Sequence, residues 1–196
     1  MTLVEILTVG HSNHSSERFI ELLREAGVTA VADVRSAPYS RHAPQFNRDR
    51  LRDDLGRAGI AYVFLGRELG GRPAEREFYT HGVADYERMA QTPAFAAGLE
   101  RVIEGAQSHR IALMCSERDP LTCHRCLLVG RALTERGARV SHILDGGERV
   151  SHAAIEDELL ARTGRNGDDL FAPRAERLAA AYRDHARKVA FAAPRT

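Results

Sequence analysis

Short apolar runs recur along the chain, and each one ends abruptly at polar residues. Five such runs occupy residues 3–9, 28–34, 60–65, 111–114 and 140–144. Runs of this length, rich in β-branched residues, are typical of strands buried on both faces of a parallel sheet. Most of the segments between them show apolar positions at helical spacing. The alternation predicts an α/β fold: a mainly parallel, Rossmann-like sheet of about five strands with helices on both faces.

Capping residues and helix breakers divide the intervening segments, and Pro93 separates a short helix from a longer one. The predicted helices begin near Ser16, Arg48, Val83, Pro93, Pro120, His152 and Pro173. A chain of 196 residues is long enough for one well-buried domain and short for two. We therefore expect a single domain over residues 1–196, with its core in residues 3–163 and a helical extension in residues 164–196.

The overall composition excludes several classes of protein. The formal net charge is +1, which gives no general reason to expect nucleic acid or an anionic membrane as a partner. Three cysteines, an odd number, do not form the framework of a disulfide-rich secreted protein. No stretch approaches the roughly 18 apolar residues of a membrane span, and the N-terminus has no signal-peptide pattern. We expect a cytoplasmic protein without a membrane partner.

Reactive and charged side chains directly follow four of the predicted strands. The carboxyl ends of parallel strands lie at one edge of the sheet, so the loops after them build a shared ligand site. The densest of these loops, residues 115–125, combines thiol, carboxylate, guanidinium and imidazole groups. The residues expected in one pocket are His11, Ser12, Asp33, Arg35, Arg41, Arg72, Cys115, Glu117, Arg118, His124 and Arg125.

Several arginines in this set indicate an anionic substrate. A planar guanidinium group donates paired hydrogen bonds to phosphate or carboxylate oxygens, so a phosphorylated sugar, a nucleotide or a nucleic-acid end fits this chemistry. Residues 35–76 are also basic, with nine arginines and five acidic residues, although a solvated surface is the simpler explanation of that charge. The predicted substrate-binding residues are Ser12, Arg35, Tyr39, Arg41, Arg72, Arg118 and Arg125.

Cys115 has two interpretations. As a nucleophile it would lie near a helix N-terminus with Arg118 and His124 close by, which would lower the pKa of its thiol. His124 or Glu117 would then act as general acid or base. As a structural residue, Cys115 would be a small buried side chain that ends an apolar strand. The spacing does not decide, because a phosphatase-type Cys-x5-Arg loop would need arginine at position 121, which is leucine.

A metal site is a third use of the same loop. Cys115, Cys123, His124 and Cys126 contain a Cys-x2-Cys pair and offer thiolate and imidazole ligands for zinc. Two points argue against it: Cys123 and His124 are adjacent, and a predicted helix would splay their side chains. The spacing is less diagnostic than paired Cys-x2-Cys knuckles. The sequence therefore assigns no metal ligand and no cofactor.

Asp33 and His11 each have a structural and a chemical interpretation. Asp33 ends an otherwise apolar strand, where a buried carboxylate without a partner is strongly destabilising. It either pairs with an arginine such as Arg35 or acts as a base or nucleophile. His11 either donates to a backbone carbonyl or takes part in catalysis, and together the two residues form a second metal option. The predicted catalytic residues are Cys115, His124, Asp33, His11 and Glu117.

Four motifs, in order, resemble a known family. They are T-V-G-H-S at 8–12, D-V-R-S-x-P-x-S at 33–40, L-G-x-x-L-G-G-R at 65–72 and C-S-E-R-D-P-x-x-C-H-R at 115–125. Together they resemble the bacterial and archaeal family of uncharacterised proteins called DUF488, and the resemblance runs from residue 3 to about residue 143. The A-Y-R-x-H-A-R-K segment near Ala181 is similar to the C-terminus of that family. The resemblance implies no settled reaction.

The leading hypothesis is an enzyme, a hydrolase or transferase, that acts on a phosphate-bearing substrate such as a nucleotide or a nucleic-acid component. A convergence of unlike reactive groups supports catalysis, because a site that only binds does not require them. A second hypothesis is a non-catalytic module that binds nucleic acid or phosphate. A third is a cysteine-based sulfur-transfer or redox protein that uses Cys123 and Cys126.

Overall fold

The computed structural model describes residues 4–167 and 172–193. In chain order its strands are β1 (Glu5–Gly10), β2 (Ala30–Asp33), β3 (Ala61–Phe64), β4 (Tyr79–Thr80), β5 (Val83–Ala84), β6 (Ile111–Cys115), β7 (Arg139–Ile143) and β8 (Arg149–Ser151). Six strands form one sheet in the order β3-β2-β6-β1-β7-β8, while β4 and β5 form a two-stranded ribbon. The first five strands of that order are parallel, and β8 pairs antiparallel with β7.

Helices connect the strands of the sheet along the chain. In chain order they are α1 (Ser16–Glu25), α2 (Arg48–Arg57), α3 (Gly66–Leu69), α4 (Tyr86–Met89), α5 (Pro93–Gly105), α6 (Arg131–Glu135), α7 (His152–Arg162) and α8 (Arg174–Val189). The chain after β1 runs across the sheet toward β2 and β3, whereas the chain after β6 runs the opposite way toward β7. In open α/β sheets, loops at such a reversal form the crevice that binds ligands.

Each face of the sheet has its own core, because successive strand residues point to opposite faces. On one face, Phe19 and Leu23 of α1 and Leu51 and Leu55 of α2 pack against the sheet. On the other face, α5, α7, α8 and the segment before α6 supply the apolar side chains. Burial of each large apolar side chain contributes about 1.5–3 kcal/mol. The strand ends that carry polar loops are therefore held between two packed layers.

The predicted α/β fold with a mostly parallel sheet is confirmed. Two local predictions are wrong, one about a strand and one about the start of a helix. The sheet has six strands, because the turn at 145–147 is followed by the short edge strand β8, whose residues are largely exposed and carry no apolar pattern. The helix predicted from Val83 begins later, at Tyr86, because Val83 and Ala84 pair with Tyr79 and Thr80.

The helix predicted after β6 also differs from the structure. Pro120–Thr122 is a single 3₁₀ turn, and it is followed by a π-helical segment, Arg125–Gly130, that runs into α6. Residues 1–3 of the predicted domain, and residues 168–171 and 194–196 of the predicted extension, lie outside the described residues. Within the two described ranges, no helix combines the length and the apolar character that a membrane crossing needs.

A chain of buried hydrogen bonds links β1, β7, α7 and α8. Thr8 Oγ1 lies 2.8 Å from His142 Nδ1, and His142 Nε2 lies 2.9 Å from His152 Nδ1. His152 Nε2 lies 2.9 Å from the Tyr182 hydroxyl, which donates to Glu156 Oε1 at 3.1 Å. One arrangement of protons satisfies all these atoms with both imidazoles neutral. Burial accordingly lowers the pKa of His152 to about 4.

Acid is expected to destabilise the protein through His152. The unfolded chain protonates this imidazole near pH 6.5, whereas the folded protein does so only near pH 4. The folded state therefore loses stability as the pH falls from 6.5 to 4, by up to about 3 kcal/mol, and this group has no such effect above pH 6.5. Urea unfolding measured across that range should show a shallower pH dependence for His152→Gln than for the wild type. Parallel curves would contradict the prediction.

Candidate functional site

The loops after β2, β3 and β6, together with the end of α8, enclose a polar cleft of about 470 Å³. Cys115 and His124 are buried at its floor, and Glu117 lies beside them. Its walls carry one set of polar and aromatic side chains: Arg35, Tyr39, Arg72, Tyr86 and Phe191. The cleft thus brings together six of the residues predicted from sequence, which are Arg35, Tyr39, Arg72, Cys115, Glu117 and His124.

Four side chains place one potential ligand atom each within 4.8 Å of the others: Cys115, Glu117, Cys123 and His124, of which all but Cys123 line the cleft. The Sγ atoms of Cys115 and Cys123 lie 3.7 Å and 3.9 Å from His124 Nδ1. Cys123 Sγ also lies 3.0 Å from Glu117 Oε2. We call these four residues the cysteine–histidine cluster.

The backbone around Cys123 explains how two adjacent residues join one cluster. Asp119 caps the preceding 3₁₀ turn by accepting from the Leu121 N–H at 2.8 Å. Cys123 is then extended, with φ −132° and ψ 138°, and His124 begins the π-helical segment with φ −61° and ψ −25°. This break in the helix turns both side chains toward Cys115. The expectation that a helix would splay them is wrong. π-helical segments often occur at functional sites.

The surroundings of Cys115 and Cys123 move the pKa values of the two thiols in opposite directions. Burial opposes ionisation of Cys123, but the hydrogen bond from Cys115 and the positive charge of Arg125 hold its pKa well below the ordinary value. Burial raises the pKa of Cys115 well above its ordinary value, and contact with Cys123 adds to the rise. The expected lowered pKa of Cys115 is wrong, because the helical segment begins beyond Cys123 and Arg118 points elsewhere. Burial also raises the pKa of Glu117.

His124 is oriented by the end of β2. Its Nε2 lies 2.8 Å from the Val34 carbonyl oxygen and donates to it, so Nδ1 faces the two sulfur atoms. Burial opposes protonation of this ring, whereas contact with Cys123 raises its pKa. Gly71 lies against the ring, and a Cβ atom at position 71 would overlap the imidazole of His124. The glycine-rich turn after β3 therefore makes room for the histidine.

Asp33, Arg35 and His11 form a buried group behind one wall of the cleft. Arg35 donates from Nε to Asp33 Oδ1 at 2.9 Å and from Nη2 to Asp33 Oδ2 at 2.7 Å. Its Nη1 donates to His11 Nε2 at 3.3 Å, and His11 Nδ1 donates to the Ser12 carbonyl at 2.9 Å. Burial, together with Arg35, lowers the pKa of His11 to about 4, so the ring is neutral.

This group decides two open interpretations. Asp33 is paired with Arg35, and it is fully buried, so it does not reach the cleft as a base or nucleophile. His11 donates to a backbone carbonyl and lies behind Arg35, with 3% of its surface exposed. The catalytic predictions for both residues are therefore corrected: they position Arg35, which itself lines the cleft.

Arg125 does not line the cleft either. Its side chain is fully buried, and it donates from Nη1 to the Glu117 carbonyl at 2.6 Å and from Nη2 to the Arg118 carbonyl at 3.0 Å. Gly10 allows this close approach, because a Cβ atom there would overlap the Glu117 carbonyl oxygen. The substrate-binding prediction for Arg125 is wrong: the residue holds the loop that carries Glu117.

Three other predicted substrate-binding residues lie outside the cleft. Arg118 Nε lies 3.2 Å from Asp145 Oδ1 and 3.4 Å from Ser12 Oγ, and Arg118 Nη2 lies 3.3 Å from Asn13 Oδ1. The loop after β6 directs the Arg118 side chain toward Asp145, which follows β7. Ser12 contacts Arg118 there and so also lies outside the cleft. Arg41 is exposed and also stays outside the lining of the cleft.

Sequence reasoning missed Tyr86 and Phe191, and it considered Cys123 only as a possible zinc ligand or as part of a sulfur-transfer or redox protein. The Arg72 guanidinium lies 4.7 Å from the centroid of the Phe191 ring, so the C-terminal segment forms part of the cleft. The Phe191 carbonyl accepts from the Ala84 N–H at 2.9 Å, which fixes that segment to β5. No local sequence pattern predicts these contacts, whereas the adjacent Cys123-His124 pair was a sequence signal that could have identified Cys123.

The chain was also compared with known proteins. A family described as a domain of unknown function, DUF488, matches residues 15–132, which is more than half of the chain and includes β2, β3 and β6, whose following loops line the cleft. No curated protein matches the chain, and no solved structure matches it. The matched range contains three of the four motifs, those at 33–40, 65–72 and 115–125, and begins after the motif at 8–12. The chain belongs to the DUF488 family.

Proposed function

We propose that this protein is an enzyme, a hydrolase or transferase, that acts on a phosphate-bearing substrate such as a nucleotide or a nucleic-acid component. One observation carries the proposal: a single cleft has a buried thiol, imidazole and carboxylate at its floor and arginine and aromatic side chains on its walls. A site that only binds an anion does not need the first set of groups, whereas chemistry on that anion needs both.

Arg72 is the residue best placed to bind a phosphate group. Its guanidinium is exposed to the cleft and stacked on Phe191, which leaves its planar set of donors directed at a ligand. Arg35 also lines the cleft, although its charge is paired with Asp33 and most of its donors are engaged by Asp33, Phe46 and His11. The anion therefore binds at the mouth of the cleft, above the cluster.

Aromatic side chains beside Arg72 favour a planar group next to the phosphate. Tyr39 is 57% exposed, which is unusual for a large aromatic residue in this chain. Tyr86 lines the inner part of the same cleft. Stacking of a base on an aromatic ring contributes about 1–3 kcal/mol. A nucleotide or a nucleic-acid end supplies both a base and a phosphate, so these substrates fit better than a simple sugar phosphate.

Arg72→Ala tests the proposal against a matched control. Arg131 on α6 stacks on Tyr182 at the same distance of 4.7 Å but lies outside the cleft. Nucleoside phosphates, nucleotide sugars and short single strands of DNA and RNA would be incubated with each protein, and products would be followed by mass spectrometry. Loss of a charge-assisted contact of about 1.5–3 kcal/mol predicts a kcat/KM roughly 10- to 150-fold lower for Arg72→Ala. Arg131→Ala should match the wild type.

Two results would count against an enzyme. Binding that depends on Arg72 without any product would make the protein a phosphate-binding module. Equal effects of Arg72→Ala and Arg131→Ala on turnover would show that the cleft is not the site of reaction.

A further inference from the structure

We propose that Cys115, Glu117, Cys123 and His124 bind a thiophilic divalent metal ion, and that zinc is the ion that fits this donor set. The inference goes beyond the proposed function and does not depend on it, because the ligands are defined without any substrate. Thiolate and imidazole are the preferred ligands of zinc, and a carboxylate is a common addition. Three of the four residues border the cleft, so the ion would lie at its floor.

The two sulfur–nitrogen distances in the cysteine–histidine cluster match a tetrahedral site, whereas Cys123 Sγ and Glu117 Oε2 lie at a hydrogen-bond distance of 3.0 Å. Zinc lies about 2.3 Å from sulfur and about 2.0–2.1 Å from nitrogen, so a sulfur and a nitrogen on the same ion are about 3.5 Å apart. The two Sγ atoms lie 3.7 Å and 3.9 Å from His124 Nδ1. These separations are long for hydrogen bonds to sulfur but suit two ligands on one ion. All four ligand atoms lie within 4.8 Å of one another.

His124 has the orientation of a metal-binding histidine. A ligating imidazole usually donates its second N–H to a carbonyl or carboxylate, which fixes the ring and leaves the other nitrogen free for the ion. His124 Nε2 makes this contact with the Val34 carbonyl at 2.8 Å. Its Nδ1 then faces the sulfur atoms of two cysteines, and a thiol is only a weak hydrogen-bond donor. A metal ion is a better partner for that lone pair.

The charge around Cys123 also favours a cation at this position. The Arg125 backbone N–H donates to Cys123 Sγ at 3.4 Å, a contact that stabilises a thiolate. The Arg125 guanidinium is buried and donates to two carbonyl oxygens, not to a carboxylate. Two thiolates and one carboxylate around a divalent ion leave one negative charge, which this guanidinium would balance. A buried charge without such compensation is strongly destabilising.

A second buried group of potential metal ligands differs from the cysteine–histidine cluster. Cys126, His142 and His152 also place ligand-type atoms close together. There, however, the two rings are hydrogen-bonded to each other at 2.9 Å, and their outer nitrogens contact Thr8 and Tyr182 at 2.8 Å and 2.9 Å. Every ring nitrogen already has a protein partner, so this group is a structural chain. It supplies Cys126 as a control cysteine for the test.

The first measurement is cobalt titration of the metal-free wild-type protein. Cobalt(II) reports its ligands directly: thiolate ligation gives a charge-transfer band in the near ultraviolet, and a tetrahedral site gives intense visible absorption. We expect both signals to saturate at one equivalent of Co²⁺ and to disappear when Zn²⁺ is added. Wild-type protein that shows neither signal would overturn the proposal without reference to any variant.

The second measurement compares zinc affinity among variants by competition with a chromophoric chelator. Loss of a group that only orients a ligand lowers metal affinity by about 10- to 100-fold, so Cys115→Ser and Cys123→Ser should lose at least a hundredfold. Cys126→Ser should bind zinc like the wild type. Equal affinities in all four proteins would also overturn the proposal.

These measurements contain no substrate, so they separate the two proposals. Protein that binds zinc but fails to turn over phosphate-bearing compounds would keep the metal site and remove the proposed function. Protein that turns them over after complete metal removal, with no cobalt signal, would do the reverse.

Discussion

Asp33→Ala is expected to lower the free energy of unfolding by about 3–5 kcal/mol, because it leaves a buried guanidinium without its carboxylate. Asp33 is fully buried and Arg35 is 5% exposed, and the two groups form a bidentate pair. Asp33 also accepts from the Tyr62 hydroxyl at 2.8 Å and from the Arg35 backbone N–H at 3.1 Å, so its loss removes the acceptor of four donor groups on these two residues. Urea unfolding followed by circular dichroism measures the change.

Two controls separate the buried charge from other effects. Glu135→Ala removes one partner of the Arg131–Glu135 pair, in which Glu135 is largely exposed, and should cost less than about 1 kcal/mol. Tyr62→Phe removes a single neutral donor and should cost about 1 kcal/mol. If Asp33→Ala cost no more than Glu135→Ala, water would have to reach Arg35, and the cleft wall would be looser than the structure indicates.

The strands that carry the site were predictable because they are buried on both sides. β6 has the burial of a central strand at all five positions, so nearly every residue is apolar and the run stands out in the sequence. β8 lies at the sheet edge with its residues exposed or half-exposed, so no pattern distinguishes it from a loop. Edge strands and two-residue ribbons depend on pairing with distant residues, which local periodicity does not record.

The location of the site in the fold was predictable, but the contacts between its side chains were not. The rule that ligand sites lie at the carboxyl ends of strands correctly placed Cys115, Glu117 and His124 in the site. The same rule wrongly placed Arg118 and Arg125 there, because the direction of each side chain depends on backbone angles within the loop. The extended conformation of Cys123 decided which cysteine joins His124, and the preceding residues pointed to a helix instead. The motifs at 33–40, 65–72 and 115–125 are separated by more than 20 residues of sequence, so only the fold brings them together.

Arg125→Ala is expected to destabilise the protein by at least about 4 kcal/mol. Truncation of a large buried side chain to alanine typically costs about 2–5 kcal/mol through the cavity it leaves. Here it would also leave the carbonyl oxygens of Glu117 and Arg118 without donors, at about 1–3 kcal/mol for a buried unsatisfied group. Arg125 is fully buried and supplies both hydrogen bonds. Unfolding in urea gives the total loss.

Arg125→Met separates the cavity from the hydrogen bonds. Methionine fills much of the space but donates nothing, so this variant should recover part of the loss and leave both carbonyls exposed to solvent or unsatisfied. Hydrogen exchange should then speed up in residues 116–118 of both variants and stay unchanged in β7, which lies beyond the loop. Arg125→Ala as stable as the wild type, with unchanged exchange in that loop, would show that Arg125 does not hold Glu117 in place. The two hydrogen bonds that this guanidinium gives to the loop explain why a chain of modest net charge buries an arginine beside its most reactive side chains.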